Sequence, residues 1–479
     1  MNDLAMRALD TARARGANYA DARVIHSNSE STTVKNGKVE GLAMGESQGF
    51  GVRVIADGAW GFASSGVLTA READRVAALA VKIARASARV KRVDLDLGPP
   101  VKAAGKFKTP CRIDPFAVSL DEKIKLLMAA DEAMRRVKGI RVAESAIELL
   151  RERKTFASTE GSFTEQELTK IGCGIEAMAE GNGDIQNRSY PNSVGRHYGS
   201  AGWEFVLAQD LPGHGQRLAE EALALLSAKP CPSGVTTIIL DATQLALQLH
   251  ESCGHPIELD RVLGFEASYA GTSFLTTEKL GGFRYGSPLV NVTADATVDG
   301  GLGTFGFDDE GVPAQRTPIV REGIFVGYLT SRETARTLGQ PSNGTMRADG
   351  WNRIPLIRMT NVNLEPGTWR FDDLIADTDD GIYLQTNKSW SIDDKRLNFQ
   401  FGTEIAWEIK KGKLGAMLKN ANYTGMTPQF WGSCDAICDR GHWSMWGTPN
   451  CGKGQPSQTA GVGHGTAPAR FRNVRVGVL

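Results

Sequence analysis

The sequence predicts an α+β chain: an N-terminal α/β region of antiparallel strands and long helices, followed by a mostly antiparallel β domain that carries one metal-binding helix. Three observations lead there. Asn36-Gly37 and Asp57-Gly58 interrupt alternating apolar runs, and such dipeptides mark tight hairpins. Apolar residues recur at helical spacing in several long segments, one of them opened by Ser119 with Glu122 three positions on. Beyond residue 230 the chain turns to short strands and Gly-rich turns, with a helix from Asp241 as the main exception.

Taken in order, residues 1–15 read as an amphipathic helix, residues 20–65 as antiparallel strands and residues 69–89 as a long helix. Residues 95–115 are rich in Pro, Gly and Lys and read as a linker. Ser119 opens a helix that ends near Lys138-Gly139. Strands follow over 141–205, then a helix over 216–227, and KPCPSG from Lys229 marks a second boundary. The expected organisation is an N-terminal α+β domain (1–95), a linker (96–115), a middle α+β domain (116–229) and a C-terminal β-rich domain (230–479). A chain of 479 residues is too long for one core, and no internal repeat is found.

Lys plus Arg and Asp plus Glu number 55 each, so nothing electrostatic recommends a nucleic acid or an acidic membrane as partner. No apolar run reaches the roughly 20 residues of a spanning helix. Asp3, Arg7 and Asp10 break up the N-terminal apolar residues as a signal peptide would not tolerate, so a cytoplasmic protein is expected. Seven cysteines, odd in number and scattered, suggest no disulfide framework.

The chemistry concentrates in LQLHESCGHPIELD, from Leu247 to Asp260. Asp241 with Gln244 caps the helix, and Ala242, Leu245, Ala246, Leu249 and Cys253 form its apolar face. His250 and Glu251 border that face. In the zinc-hydrolase pattern H-E-x-x-H the two histidines lie four residues apart. Here they lie five apart, which on a regular helix turns His255 away from His250 by roughly 140°. Gly254 and Pro256 flank His255, so a wide five-residue turn or a left-handed glycine could bring the ring back. Zinc then needs a third protein ligand and an open position for water. Glu258, Asp260 and a distant cysteine in a Gly-rich loop, such as Cys451, are candidates, whereas Cys253 belongs to the apolar face. The plain alternative is a capped helix with surface histidines.

HESCGHPIELD, then GTFGFDDEGVPAQRTPIVREGIFVGYLTSRETA, NGTMRADGWNRIPLIRMTNVNLEPG and NCGKGQP with AGVGHGTAPARF together resemble the TldD/PmbA family of cytoplasmic metallopeptidases, and GFGVRVIADGAWGFAS extends the resemblance to the N-terminal region. The resemblance implies one zinc ion per catalytic subunit, held by His250, His255 and Cys451, with Glu251 serving catalysis. Cys434 and Cys438 are rival thiolates. It also implies peptide hydrolysis through a zinc-bound water, on unfolded proteins or short peptides, in a homodimer or a heterodimer with a PmbA-like subunit. Because all four motif residues are present, the chain resembles the catalytic, TldD-type subunit.

Glu258 and Asp260 are expected to fix an imidazole tautomer, and His464 to steady an oxyanion or support the site. Residues 358–366 read as a polar alternating strand able to bind an extended peptide, with Asn343, Arg347 and Arg358 lining it. The competing reading is a non-catalytic peptide-binding or maturation partner with a structural zinc; a further rival is a metal-independent modulator of another enzyme. Gly301 to Gly306 matches G-x-G-x-x-G, but Asp308, Asp309, Glu310 and Pro313 follow where a dinucleotide site needs a helix start, so an acidic turn is expected instead.

Overall fold

The structure is a computed structural model that describes residues 2–181, 183–193 and 196–477. Four strands of 17 to 19 residues, Tyr19–Lys35, Lys38–Ala56, Ile140–Ser158 and Phe163–Gly181, form the backbone of the first half. The two dipeptides turn as their chemistry requires. Asn36 and Gly37 have φ of 49° and 78°, Asp57 and Gly58 of 50° and 73°, the left-handed pair of a tight hairpin turn.

Tyr19–Lys35 pairs along its length with Lys38–Ala56 on one side and with Ile140–Ser158 on the other. The N-terminal and middle regions therefore share one sheet. The expected linker also joins it: Ala104–Lys108 lies parallel to Phe163–Gly181 at an edge. Lys106 and Lys108 meet Glu165 and Glu167 across that pairing at 2.7 and 3.0 Å. Charges pointing out of an edge strand give it the composition of a linker.

Two helix pairs cover the two ends of this sheet. Asn2–Ala14 and Ala70–Ala88 pack on one end through Ala8, Ala12, Ala73, Ala77 and Ala80, all fully buried. Met1, expected in the first helix, lies outside the described residues. Leu120–Arg135 and Leu211–Leu225 cover the other end. The last helix starts five residues before the expected position, capped by Asp210, which accepts from Gly213 N. Gly215, within this added turn, faces the neighbouring helix, where a Cβ would fall 2.9 Å from Ala133 Cβ. The glycine serves close helix packing.

In the C-terminal half, Asp380–Ile392, Gly234–Leu240, Ala469–Val476, Asn422–Met426 and Asn398–Lys410 pair in that order, and the first also pairs with the last, closing a barrel-like ring. The helix that begins after Asp241 sends Leu245, Leu249 and Cys253 into the largest apolar core, together with Phe401, Tyr423 and Trp431. A four-stranded sheet stands beside it, with Val362–Leu364 at its edge. The hairpin Ser444–Lys453/Gln458–Thr466 completes the wall, and Asn361 bridges to it at Gly463. Among the described residues no helix is long and apolar enough to cross a membrane.

The acidic turn after the glycine loop is a turn, but a buried one. Asp308, Asp309 and Glu310 are at most 2% exposed. Asp309 faces Lys154 at 2.7 Å and Arg23 at 3.7 Å, and Arg53 lies between Asp21 at 2.8 Å and Glu310 at 3.3 Å. These basic residues stand on the long strands, so the cluster ties the first sheet to the C-terminal half. Gly303 presses against the Thr360 carbonyl, where a Cβ would fall 2.3 Å away. The glycine loop thus serves packing against a strand.

Candidate metal centre

The five-residue spacing is resolved by the helix itself. Ala242–Leu249 is α-helical, and the turn then widens to a π-helix over His250–Gly254, closed by His255 N donating to His250 O at 3.2 Å. Such a turn inserts one residue and returns the fifth side chain above the first. The two rings stand 4.9 Å apart and perpendicular. Of the two routes open in the sequence, the wide turn is the one used. Gly254 serves by its size: a Cβ there would fall 2.3 Å from Met359 Sδ.

Cys451 arrives from the hairpin, opposite Ala460. One ligand atom from each of His250, His255 and Cys451 lies within 4.8 Å of the others, and all three residues are buried. Cys451 Sγ stands 3.7 Å from His255 Nε2, close to the roughly 3.5 Å that two ligands keep on one tetrahedral ion. Glu251, adjacent to His250, turns its carboxylate to Arg396.

The supporting contacts set the tautomers. His464 Nδ1 lies 3.1 Å from the Val362 carbonyl, which can only accept, so this nitrogen carries the proton. Its Nε2 then accepts from His250 Nδ1 at 2.7 Å, leaving His250 Nε2 as a lone-pair donor. His255 Nδ1 bonds Glu258 at 2.9 Å, which leaves His255 Nε2 likewise available. Burial lowers the pKa of all three imidazoles, those of His255 and His464 well below the ordinary value. Neutral imidazole is the form that binds metal. For Cys451, burial opposes ionisation, while positive charge nearby, from His255 in its protonated form and from the Arg358 guanidinium, favours the thiolate and lowers the thiol below its usual pKa. The rival thiols differ: burial pushes both Cys434 and Cys438 up to about 12. Among the described residues neither belongs to the converging set. The donor set therefore fits a zinc ion.

Several expected roles change. Asp260 does not touch an imidazole; it receives Lys453 Nζ at 2.8 Å. His464 has both nitrogens engaged and holds His250 instead of facing an oxyanion. Asn343 spends its amide on Thr330 and Tyr328, at 2.9 and 2.6 Å, stapling its own loop. Arg358, fully buried, donates to the carbonyls of Cys451 and Gln458, and Arg347 to those of Gly461 and Met359. Both arginines brace the hairpin. Val362–Leu364 is buried, so the expected peptide-binding strand is covered. Arg347 also borders a cavity of about 490 Å³ whose other walls include Glu148, Glu152, Lys154, Lys170 and Gly461. None of the metal ligands lines it, although Ala460, the strand partner of Cys451, does.

Two residues escaped the sequence reading. Lys453 bonds Glu258 at 3.1 Å as well as Asp260, connecting the cysteine strand to the group that orients His255. Its position two residues after Cys451, on the same face of a strand, was the available signal. Arg396, 145 residues from Glu251, carried none.

The chain is similar to known proteins along most of its length. Residues 233–477 match the PmbA/TldA metallopeptidase C-terminal domain, 20–84 its domain 1 and 113–226 its central domain. A metalloprotease of Methanocaldococcus jannaschii is 32% identical over 449 residues, 93% of this chain and 95% of that one. A metalloprotease TldD homolog of Haemophilus influenzae is 28% identical over 94% of this chain and 91% of its own length. A zinc metalloprotease TldD homolog of Saccharolobus solfataricus is 26% identical over 41% of this chain and 42% of its own length. In fold, the chain is similar to a putative modulator of a DNA gyrase from Thermotoga maritima (TM-score 0.78, 19% identity, 99% and 100% of the two chains covered). It is likewise similar to TldE from Thermococcus kodakarensis (TM-score 0.77, 15% identity, again 99% and 100%). The chain belongs to the PmbA/TldD metallopeptidase family.

Proposed function

We propose that this protein is a zinc metallopeptidase that hydrolyses peptide bonds in unfolded proteins or short peptides. The observation that carries the reading is the convergence of two buried imidazoles and a buried thiol, each imidazole held by a buried partner through its far nitrogen. Zinc bound by His250, His255 and Cys451 would supply a Lewis acid for the peptide carbonyl and for a water molecule. Glu251 takes the water's proton and passes it to the leaving amine. Glu258 and His464 keep the imidazoles in the binding tautomer, and Lys453 holds Glu258 in turn. Arg347 and Arg358 hold the cysteine strand in register.

The same proposal places the protein in the cytoplasm and assigns it a two-subunit assembly, with itself or with a PmbA-like chain, in which substrate reaches a site enclosed between subunits. Stoichiometric zinc in the purified protein, its loss in His250→Ala, and cleavage of unfolded casein by the wild type alone are the expected results. A zinc-free wild type, or a His250→Ala variant that cuts equally well, refutes it. Zinc retention without cleavage in an assembled dimer would instead favour a peptide-binding partner with a structural metal.

A further inference from the structure

Glu251 is the one motif residue that does not join the ligand set, and the structure shows what holds it. Its Oε2 accepts from Arg396 Nη1. Arg396 stands at the tip of the hairpin between Asp380–Ile392 and Asn398–Lys410, with φ of 63°, a left-handed conformation uncommon for a residue with a side chain. Neighbouring segments hold the tip there. Asp393 accepts from Leu397 N at 2.8 Å, and the Arg396 carbonyl accepts from Thr427 Oγ1 at 2.9 Å. Thr272 N and Phe274 N donate to the carbonyls of Asp394 and Lys395 at 3.0 and 2.9 Å. The loop just after the metal segment thus seats the hairpin tip, and the guanidinium points inward, 15% exposed. Its Nε is buried without a hydrogen-bond partner among the described residues.

A carboxylate free to reach a bound dication competes to ligate it, and a fourth protein ligand would close the position that water needs. A guanidinium offers the same carboxylate a charge-assisted hydrogen bond instead. We infer that Arg396 is a positioning residue that keeps Glu251 out of the metal's coordination shell and so available as a base. This inference rests on the peptidase reading above for its consequence, though not for its first test.

That test is zinc affinity, measured by chelator competition on the full-length protein. Arg396→Ala should bind zinc more tightly by about tenfold or more, because Glu251 is released to ligate. Glu251→Gln should remove most of that gain, so that Arg396→Ala changes affinity by less than about threefold in the Glu251→Gln background. Unchanged or weaker zinc binding in Arg396→Ala, or the same gain in both backgrounds, overturns the inference. Arg396→Gln, closer in shape, gives the same comparison if the alanine variant does not fold.

The second test is catalytic. Arg396→Ala should lower kcat by roughly 10- to 100-fold with KM changed less than about threefold, and Arg396→Lys should recover part of the loss. Equal kcat in wild type and Arg396→Ala overturns the inference. If the wild type cuts no peptide at all, the peptidase reading fails and the zinc comparison still decides the role of Arg396.

Discussion

The metal centre and the acidic turn at Asp308 to Glu310 are both buried clusters of ionisable groups, and they are built on opposite principles. In the acidic turn every carboxylate meets a cation or a ring of backbone donors: Asp309 faces Lys154 and Arg23, Glu310 faces Arg53 and the Arg332 backbone, and Asp308 accepts from Glu310 N, Val312 N and Met346 N. Burial and the neighbouring Glu310 push Asp308 above the usual carboxylate range. At the metal centre the outer atoms are satisfied in the same way, but His250 Nε2, His255 Nε2 and Cys451 Sγ face one another. Like-natured donor atoms that converge without a counter-charge leave room for a cation; charges that cancel pairwise hold two parts of a chain together.

The sharpest way to break this comparison is at the ligands. His255→Ala and Cys451→Ser should each abolish stoichiometric zinc by elemental analysis, while Glu251→Gln should retain zinc and lose about 10²- to 10⁴-fold in kcat on an unfolded protein. A cysteine variant with full zinc would move the third ligand elsewhere.

In the acidic turn the expected effect is on stability. Asp309→Ala leaves Lys154 and Arg23 buried with their shared carboxylate gone, which should cost about 3–5 kcal/mol in urea unfolding. Zinc affinity of the folded variant should remain that of the wild type. A variant as stable as the wild type would show that the cluster does not join the two halves.

A buried imidazole outside both regions sharpens the contrast. His197 lies between Phe205 and Trp446, with ring centroids 4.9 and 4.8 Å away, and burial lowers it to about 4. Its folded pKa is depressed, so its contribution is complete above the unfolded value near 6.5 and is lost as pH falls through 4. Over that window it should account for on the order of 3 kcal/mol of the fall in stability. His197→Phe should flatten the dependence by that amount, and urea titrations of both proteins at pH 7 and pH 4.5 measure it.

The smaller effects concern support. Glu258→Gln should weaken zinc binding by about 10- to 100-fold by loosening His255. Cys434→Ala should leave it unchanged, since that thiol lies in the strand Cys434–Ile437 with burial holding it protonated.

Much of the site was legible because its parts are local. Asp241 and the apolar positions up to Cys253 define a helix and its buried face, and Gly254 with Pro256 announces that the helix changes where the second histidine needs it. Local chemistry likewise set the two hairpin turns, whose backbone angles only a few residue types adopt. Which of two routes returned His255 to His250, and which cysteine met them, depended on packing: Met359 crowds Gly254, and Arg358 fixes the Cys451 carbonyl. The edge strand Ala104–Lys108 and the burial of the acidic turn had no mark in composition. Composition reports how polar a segment is, but whether it pairs or is buried is decided by partners far along the chain, Phe163–Gly181 for the edge strand and Lys154 for Asp309. Arg396 makes the point most plainly: an arginine in a turn has no local mark of function, and only the folded chain sets its guanidinium against Glu251.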